Sequence, residues 1–365
     1  MKLSSNYVDG KYANLTKLFE NIAKDGEEAQ FVAYVGGQLV ADLACGFSPD
    51  SLTVVYSVSK ALSAIAVAKM VDQGLLDLDQ TVAHYWPEFA AAGKQDITVR
   101  QLLSHQGGLP ETRAGLTPGQ LMDGKAAADL LAAEAPLWRP GAGFGYHALS
   151  IGPLVGELCR RITGKTIQEY YDAEVREPAD ADAYLGLPES LEPRVAELLP
   201  QLPNAEFPPA TGAPNPLDSH VNRNVPMPFI TSREGRKAGL ASASGVASAR
   251  GLAAVFNWAT GYGSETPGIA PDTLQDFAQT QVFGTDWVSG SNPRSHGILF
   301  MKPTSAIPFG SFQSFGHDGF GGAVVVADPV GQIVYGYAIR RITNPAGMDR
   351  RLQPIIDELR AVALA

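Results

Sequence analysis

Ser57 and Lys60 stand three residues apart in Ser57-Val58-Ser59-Lys60, where a β-branched run, Thr53-Val54-Val55-Tyr56, gives way to small and apolar residues. If a helix begins near Ser57, the two side chains share a face with Cβ atoms about 5–6 Å apart. A serine hydroxyl is a weak nucleophile and needs a neighbour to take its proton. A lysine amine can do so once burial lowers its pKa, and the apolar helix start supplies burial. Backbone N–H groups at the helix N-terminus are also placed to hold an oxyanion. An S-x-x-K match arises by composition alone in chains of this length, so the pair needs partners elsewhere.

Other groups are candidates. Tyr146 and His147 lie in a Gly-rich loop, Trp138-Arg139-Pro140-Gly141-Ala142-Gly143-Phe144-Gly145-Tyr146-His147. His317 and Asp318 lie in Phe315-Gly316-His317-Asp318-Gly319-Phe320-Gly321-Gly322. His105 has the chemistry of a base, but a histidine at a helix end, hydrogen-bonded to backbone, accounts for it more simply.

Composition narrows the function classes. A net charge of −10 without a Lys/Arg cluster argues against a nucleic-acid surface. Cys45 and Cys159 make neither a disulfide framework nor a zinc site, and the histidines are scattered without ligand spacing, so no metal is expected. No G-x-S-x-G occurs, which removes the central motif of the nucleophile-elbow hydrolases. The start, MKLSSNYVDG, lacks an apolar signal core and no run approaches transmembrane length, so a cytoplasmic protein is expected unless an export signal was removed.

The elements that must position these residues can be read in order. Residues 12–25 carry Leu15, Leu18, Phe19 and Ile22 at helical spacing. AQFVAYVGGQLVADLACGF reads as a hairpin turning at Gly36-Gly37. The helix from Ser57 should be buried on all sides and stop at Gly74. Thr98 is an N-cap, residues 118–135 form a helix, and SIGPLVGELCRRITG forms another that stops at Gly164. Residues 165–195 hold a further helix and a loop, and 239–261 return to helix after a Gly/Ser/Ala turn. AVVVADPVGQIVYGYAIRR gives two strands around Asp328-Pro329-Val330-Gly331, followed by a last helix. The expected fold is α/β of the α+β type: a mostly antiparallel sheet from both chain ends (1–75 and 290–365), flanked by helices. A mostly helical region (76–289) is inserted, with a proline-rich loop at about 200–228 that is either a pocket cover or a purely structural wrap.

Taken in order, Ser57-x-x-Lys60, Tyr146-His147-Ala148 and His317-Asp318-Gly319 resemble the serine β-lactamase and penicillin-binding-protein superfamily. More narrowly, the chain resembles the class C β-lactamase-like esterases, the family VIII carboxylesterases. LLSHQGGL, YHALSIGPLVGEL, GLASASGVASARGLA and FGHDGFGGAVVVADP extend the likeness over nearly the whole chain. The resemblance implies Ser57 as acylated nucleophile and Lys60 as its proton partner. Tyr146 would be the phenolic acid/base, its pKa lowered by the nearby ammonium. The strip with His317 and Gly319 would be the substrate-binding edge strand, and the Phe320 and Ser57 N–H groups the oxyanion hole. His147 would either tune Tyr146 or face solvent. Tyr85, Trp138 and Phe229 are candidate pocket walls, or ordinary core.

Two departures from the family pattern bear on substrate. Asn is usual where this chain has Ala148, and an asparagine amide would bind a substrate amide and help orient the lysine. Lys-Thr-Gly is usual where it has His317-Asp318-Gly319, and histidine replaces the lysine's charge only in part. Both losses weaken recognition of penicillins or D-Ala peptides and neither touches an uncharged ester. The expected function is therefore a serine carboxylesterase acting on a small ester of short to medium acyl chain, without cofactor, nucleic acid or membrane. Its alternatives are a β-lactamase, amidase or acyltransferase with the same Ser-Lys-Tyr site, or a non-catalytic binding protein on this fold.

Overall fold

The computed structural model describes residues 3–24, 28–200, 227–290, 293–344 and 347–365. Most of the proline-dense stretch expected to cover a pocket or wrap the fold lies outside the described residues.

Two chain ends build the main sheet. Its N-terminal strands are β1 (Leu3–Val8), β2 (Ala29–Val35) and β3 (Gln38–Cys45). Between these and the C-terminal strands come β4 (Thr53–Tyr56), β5 (Ala183–Tyr184) and β6 (Gly245–Ala247), then β7 (Val282–Thr285) and β8 (Pro293–His296). The last are β9 (Phe315–Asp318), β10 (Val324–Asp328) and β11 (Ile333–Ile339). The six-stranded sheet has the order β1-β3-β2-β11-β10-β9 and every pair in it is antiparallel. A three-stranded sheet, β4-β6-β5, and the ribbon β7-β8 complete the strands among the described residues. The architecture is mixed α/β, with antiparallel sheets flanked by helices, as expected.

Local chemistry explains the turns that set this order. Gly36 and Gly37 both have positive φ (54° and 77°), the combination a tight hairpin with matching twist demands. Between β10 and β11, Asp328 Oδ1 accepts from Val330 N at 3.1 Å, an aspartate closing its own turn. The helix Ala249–Thr260 lies directly on β11, because Gly336 removes the side chain from the contact. A Cβ there would sit 2.6 Å from the Ala249 carbonyl oxygen.

The helix after β4 spans Val58–Asp72 with Ser57 at the N-cap, and Val58 to Ala68 are all buried. It packs against β9, β4 and β6, so the first turn of this helix meets the edge of the main sheet. Gly74 follows its end with φ 70°, as a C-terminal stop requires. Thr98 caps the helix Val99–Leu103 through a capping box with Gln101. The segment expected as one helix over 118–135 is two, Pro118–Asp123 and Lys125–Ala133, broken at Gly124 with φ 61°. Likewise β5 and β6 lie where only helix and loop were expected; strands of two and three residues are too short to show alternation. Among the described residues no helix is long and apolar enough to cross a membrane.

Candidate active site

The chain enters the site through a strained residue. Tyr56, the last of β4, has φ 47°, uncommon for a bulky side chain, and this turns the backbone sharply into the helix at Ser57. Ser59 holds the turn: its Oγ donates to the Tyr56 carbonyl (2.5 Å) and accepts from Gly245 N (2.8 Å). Ser57 occupies the N-cap, yet its hydroxyl caps nothing and is left to face its neighbours.

Those neighbours are Lys60 and Tyr146. Lys60 Nζ lies 3.1 Å from Ser57 Oγ, and it donates to the carbonyls of Ala148 (2.8 Å) and Ser242 (2.7 Å). The Tyr146 hydroxyl donates to the same Ser57 oxygen at 2.9 Å, and Nζ stands 4.7 Å from the centre of its ring. Lys60 is fully buried, and burial pushes its pKa well below the usual lysine value, against a smaller upward pull from Asp318. A neutral amine has two N–H groups and one lone pair. In that state both N–H groups have the Ala148 and Ser242 carbonyls as acceptors, which leaves the lone pair to accept the Ser57 hydroxyl proton.

Tyr146 behaves differently from the expectation. Its pKa is raised, mainly by burial, with the Ser57 hydrogen bond a smaller effect in the opposite sense. The neighbouring Lys60 does not offset that burial. The phenol therefore stays protonated at neutral pH, with a proton it can donate.

Four of the chain's six histidines are buried around this tyrosine: His105, His147, His296 and His317. Their ring centres lie between 5.1 and 6.0 Å from that of Tyr146 for His105, His296 and His317. His147 neither faces solvent nor has a nitrogen free for chemistry. Its Nε2 accepts from Leu109 N (2.9 Å), and its Nδ1 lies 2.6 Å from the Gly145 carbonyl, fixing the Nδ1–H tautomer. His105 Nδ1 accepts from His147 N at 3.2 Å, so the backbone-bonded reading of this residue holds, in service of the tyrosine loop. Burial lowers the pKa of His147 and His296 to about 4. It also holds His105 and His317 well below the usual histidine value, with the other imidazoles and Lys60 adding to it.

Asp286 completes the frame. Buried after β7, its Oδ1 accepts from Tyr146 N (3.0 Å), Val288 N (2.8 Å) and Ser289 N (3.0 Å). On the opposite side, β9 runs past Ser57. A Cβ at Gly319 would lie 2.3 Å from the Val55 carbonyl oxygen, and the Tyr56 and Phe320 rings meet edge to face at 5.2 Å. The N–H groups of Ser57 and Phe320 make no backbone hydrogen bond among the described residues.

A family model, Beta-lactamase, matches residues 15–357 of this chain. The chain belongs to the beta-lactamase family. It is similar to the esterase/beta-lactamase LipL of Mycobacterium tuberculosis (strain ATCC 25618 / H37Rv), 31% identical over 345 residues that cover 86% of this chain and 77% of that protein. Among solved structures it is similar to EstA from Arthrobacter nitroguajacolicus Rue61a, 38% identical with a TM-score of 0.89, covering 100% of this chain and 99% of that one. A family VIII carboxylesterase superposes with a TM-score of 0.90 at 30% identity, covering 99% of this chain and 100% of the other.

Within the beta-lactamase family pattern, the two departures take physical form. Position 148 orients Lys60 through its carbonyl, so alanine in place of asparagine does not leave the lysine unheld. His317 is buried, its Nδ1 lies 2.6 Å from the Asp318 carbonyl, and its lowered pKa leaves it neutral, so it supplies no charge where the family pattern has lysine. Asp318 is itself turned inward, accepting from Met348 N at 3.1 Å, and burial raises its pKa.

Of the three candidate wall residues, Trp138 alone packs on the site frame, 6.0 Å from His147 and 5.6 Å from Trp287. Tyr85 packs on His84 and accepts from Asp77 N, and Phe229 packs on the core. The parts that Ser59, Ser242, Asp286 and His296 play around the site are not legible in the sequence. Asp286 carries a partial local signal, an aspartate accepting N–H groups two and three residues ahead. Its bond to Tyr146 spans 140 residues and has none.

Proposed function

We propose that this member of the beta-lactamase family is a serine carboxylesterase working through a Ser57 acyl-enzyme. What carries the reading is the single oxygen, Ser57 Oγ, shared between a buried amine poised to accept and a phenol poised to donate. Lys60 takes the hydroxyl proton as Ser57 attacks the ester carbonyl. The N–H groups of Ser57 and Phe320 hold the charge on the tetrahedral oxygen. Tyr146 gives its proton to the departing alcohol and recovers the one held by Lys60. Water then enters by the same route in reverse and releases the acid. A neutral His317 favours uncharged esters over carboxylate-bearing lactams or peptides. The test is an activity-directed fluorophosphonate: it should label wild type at Ser57 and leave Ser57→Ala unlabelled.

A second reading has its own support. Arg294 on β8 is partly buried and close enough to act electrostatically on Tyr146, His317 and Asp318. Its guanidinium would suit a carboxylate on the substrate, as an amidase or β-lactamase needs. Comparable turnover of nitrocefin and of a neutral ester, with the former lost in Arg294→Ala, would establish that reading instead.

A further inference from the structure

A cleft of about 500 Å³ is lined by Tyr262, Leu274, Ala278, Lys302, Phe315 and Pro329 with neighbouring amides and hydroxyls, and by none of Ser57, Lys60 and Tyr146. That size falls within the range of small-molecule sites, which are mostly apolar with a few placed polar groups. Among the described residues no Asp or Glu lines it, in a chain whose net charge is −10. Among the described residues Lys302 is the only charged side chain in its wall, and it is 5% exposed. Its Nζ donates to the Gln313 carbonyl at 2.9 Å, and among the described residues no carboxylate pairs with it. The nearby Asp328 is already engaged by Ser311 and Arg360 and does not line the cleft.

A buried ammonium with N–H groups to spare, facing an apolar cleft without acids, is a costly arrangement unless an anion completes it. We infer that this cleft binds an amphipathic monocarboxylate, its carboxylate on Lys302 and its apolar body between Leu274, Ala278, Tyr262 and Phe315. Selectivity follows from the wall. An alcohol of the same chain gains no charge-assisted hydrogen bond, and an amine meets a like charge. Phe315, which lines the cleft, and His317, which packs on Tyr146, lie on one face of β9 two residues apart, about 7 Å along the strand. The inference does not depend on the chemistry at Ser57.

Calorimetric titration with octanoate tests it, using wild type, Lys302→Met and Lys60→Met, with octanol as the uncharged control. Octanoate should bind wild type and Lys60→Met alike, lose at least about tenfold in affinity in Lys302→Met, and outcompete octanol in both proteins that keep Lys302. Unchanged affinity in Lys302→Met, or loss in Lys60→Met alone, would overturn the assignment and place octanoate at Ser57. No binding to wild type would overturn it as well. Should Lys302→Met fail to fold, Ala278→Trp fills the cleft without touching the lysine and must abolish octanoate binding.

Discussion

Gly319 and the Val55 carbonyl are packed so closely that a methyl group on the glycine would lie 2.3 Å from that oxygen. Val55 is two residues before Ser57, and Phe320 follows Gly319. The contact therefore fixes the spacing between the strand that leads into Ser57 and the Phe320 backbone that would hold an oxyanion. Gly319→Ala should cost about 1–3 kcal/mol of stability by overpacking. It should also lower kcat by roughly a hundredfold, the scale of one lost oxyanion donor. Urea unfolding and p-nitrophenyl butyrate turnover read the two effects separately; full activity in Gly319→Ala would sever the contact from catalysis.

Lys60 must be neutral to accept the Ser57 proton. Acylation should therefore rise with pH as the ammonium deprotonates, with the limb below the ordinary lysine range because burial lowers its pKa. Four neutral imidazoles contribute no further limb between pH 6 and 8. A pH profile of kcat/KM for wild type and His317→Asn should show the same single acid limb in both. Loss of that limb in His317→Asn would assign the titration to the histidine.

Tyr146→Phe removes the acid and keeps the ring. Turnover should fall by roughly 10²–10⁴-fold, with the folded state intact by thermal unfolding. A loss greater for esters with poor leaving alcohols than for p-nitrophenyl esters is expected, since a good leaving group needs no proton. Equal losses for both would remove Tyr146 from leaving-group protonation.

Asp286 offers a cleaner separation of structure from charge. Asp286→Asn keeps an oxygen for the three N–H groups it holds, whereas Asp286→Ala leaves them unpaired in a buried place. The asparagine variant should retain most activity. The alanine variant should lose about 1–3 kcal/mol of stability, together with a fall in kcat as Tyr146 loses its anchor. Equal activity in both would show that the anchor is not needed.

The parts legible in the sequence were those with local periodicity or spacing. The buried helix after Ser57, the Gly36-Gly37 hairpin and the Thr98 cap each follow from neighbouring residues. β1 did not, because LSSNYV alternates weakly at an exposed edge. Nor did β5 and β6, whose existence depends on pairing with β4. At the site, Ser57 and Lys60 showed themselves by spacing and Tyr146 by resemblance. The histidine cage did not, since His105, His147, His296 and His317 are brought together only by the tertiary fold. The sense of the Tyr146 pKa is hidden for a related reason: pairing with a charged lysine would lower it, but the burial that lowers the Lys60 pKa also raises that of the phenol.

The most direct measurement is turnover of p-nitrophenyl acetate, butyrate and octanoate beside nitrocefin, with wild type and Ser57→Ala. The account predicts ester hydrolysis by wild type, its loss in Ser57→Ala, and little cleavage of nitrocefin by either. Near-wild-type ester turnover in Ser57→Ala would contradict it.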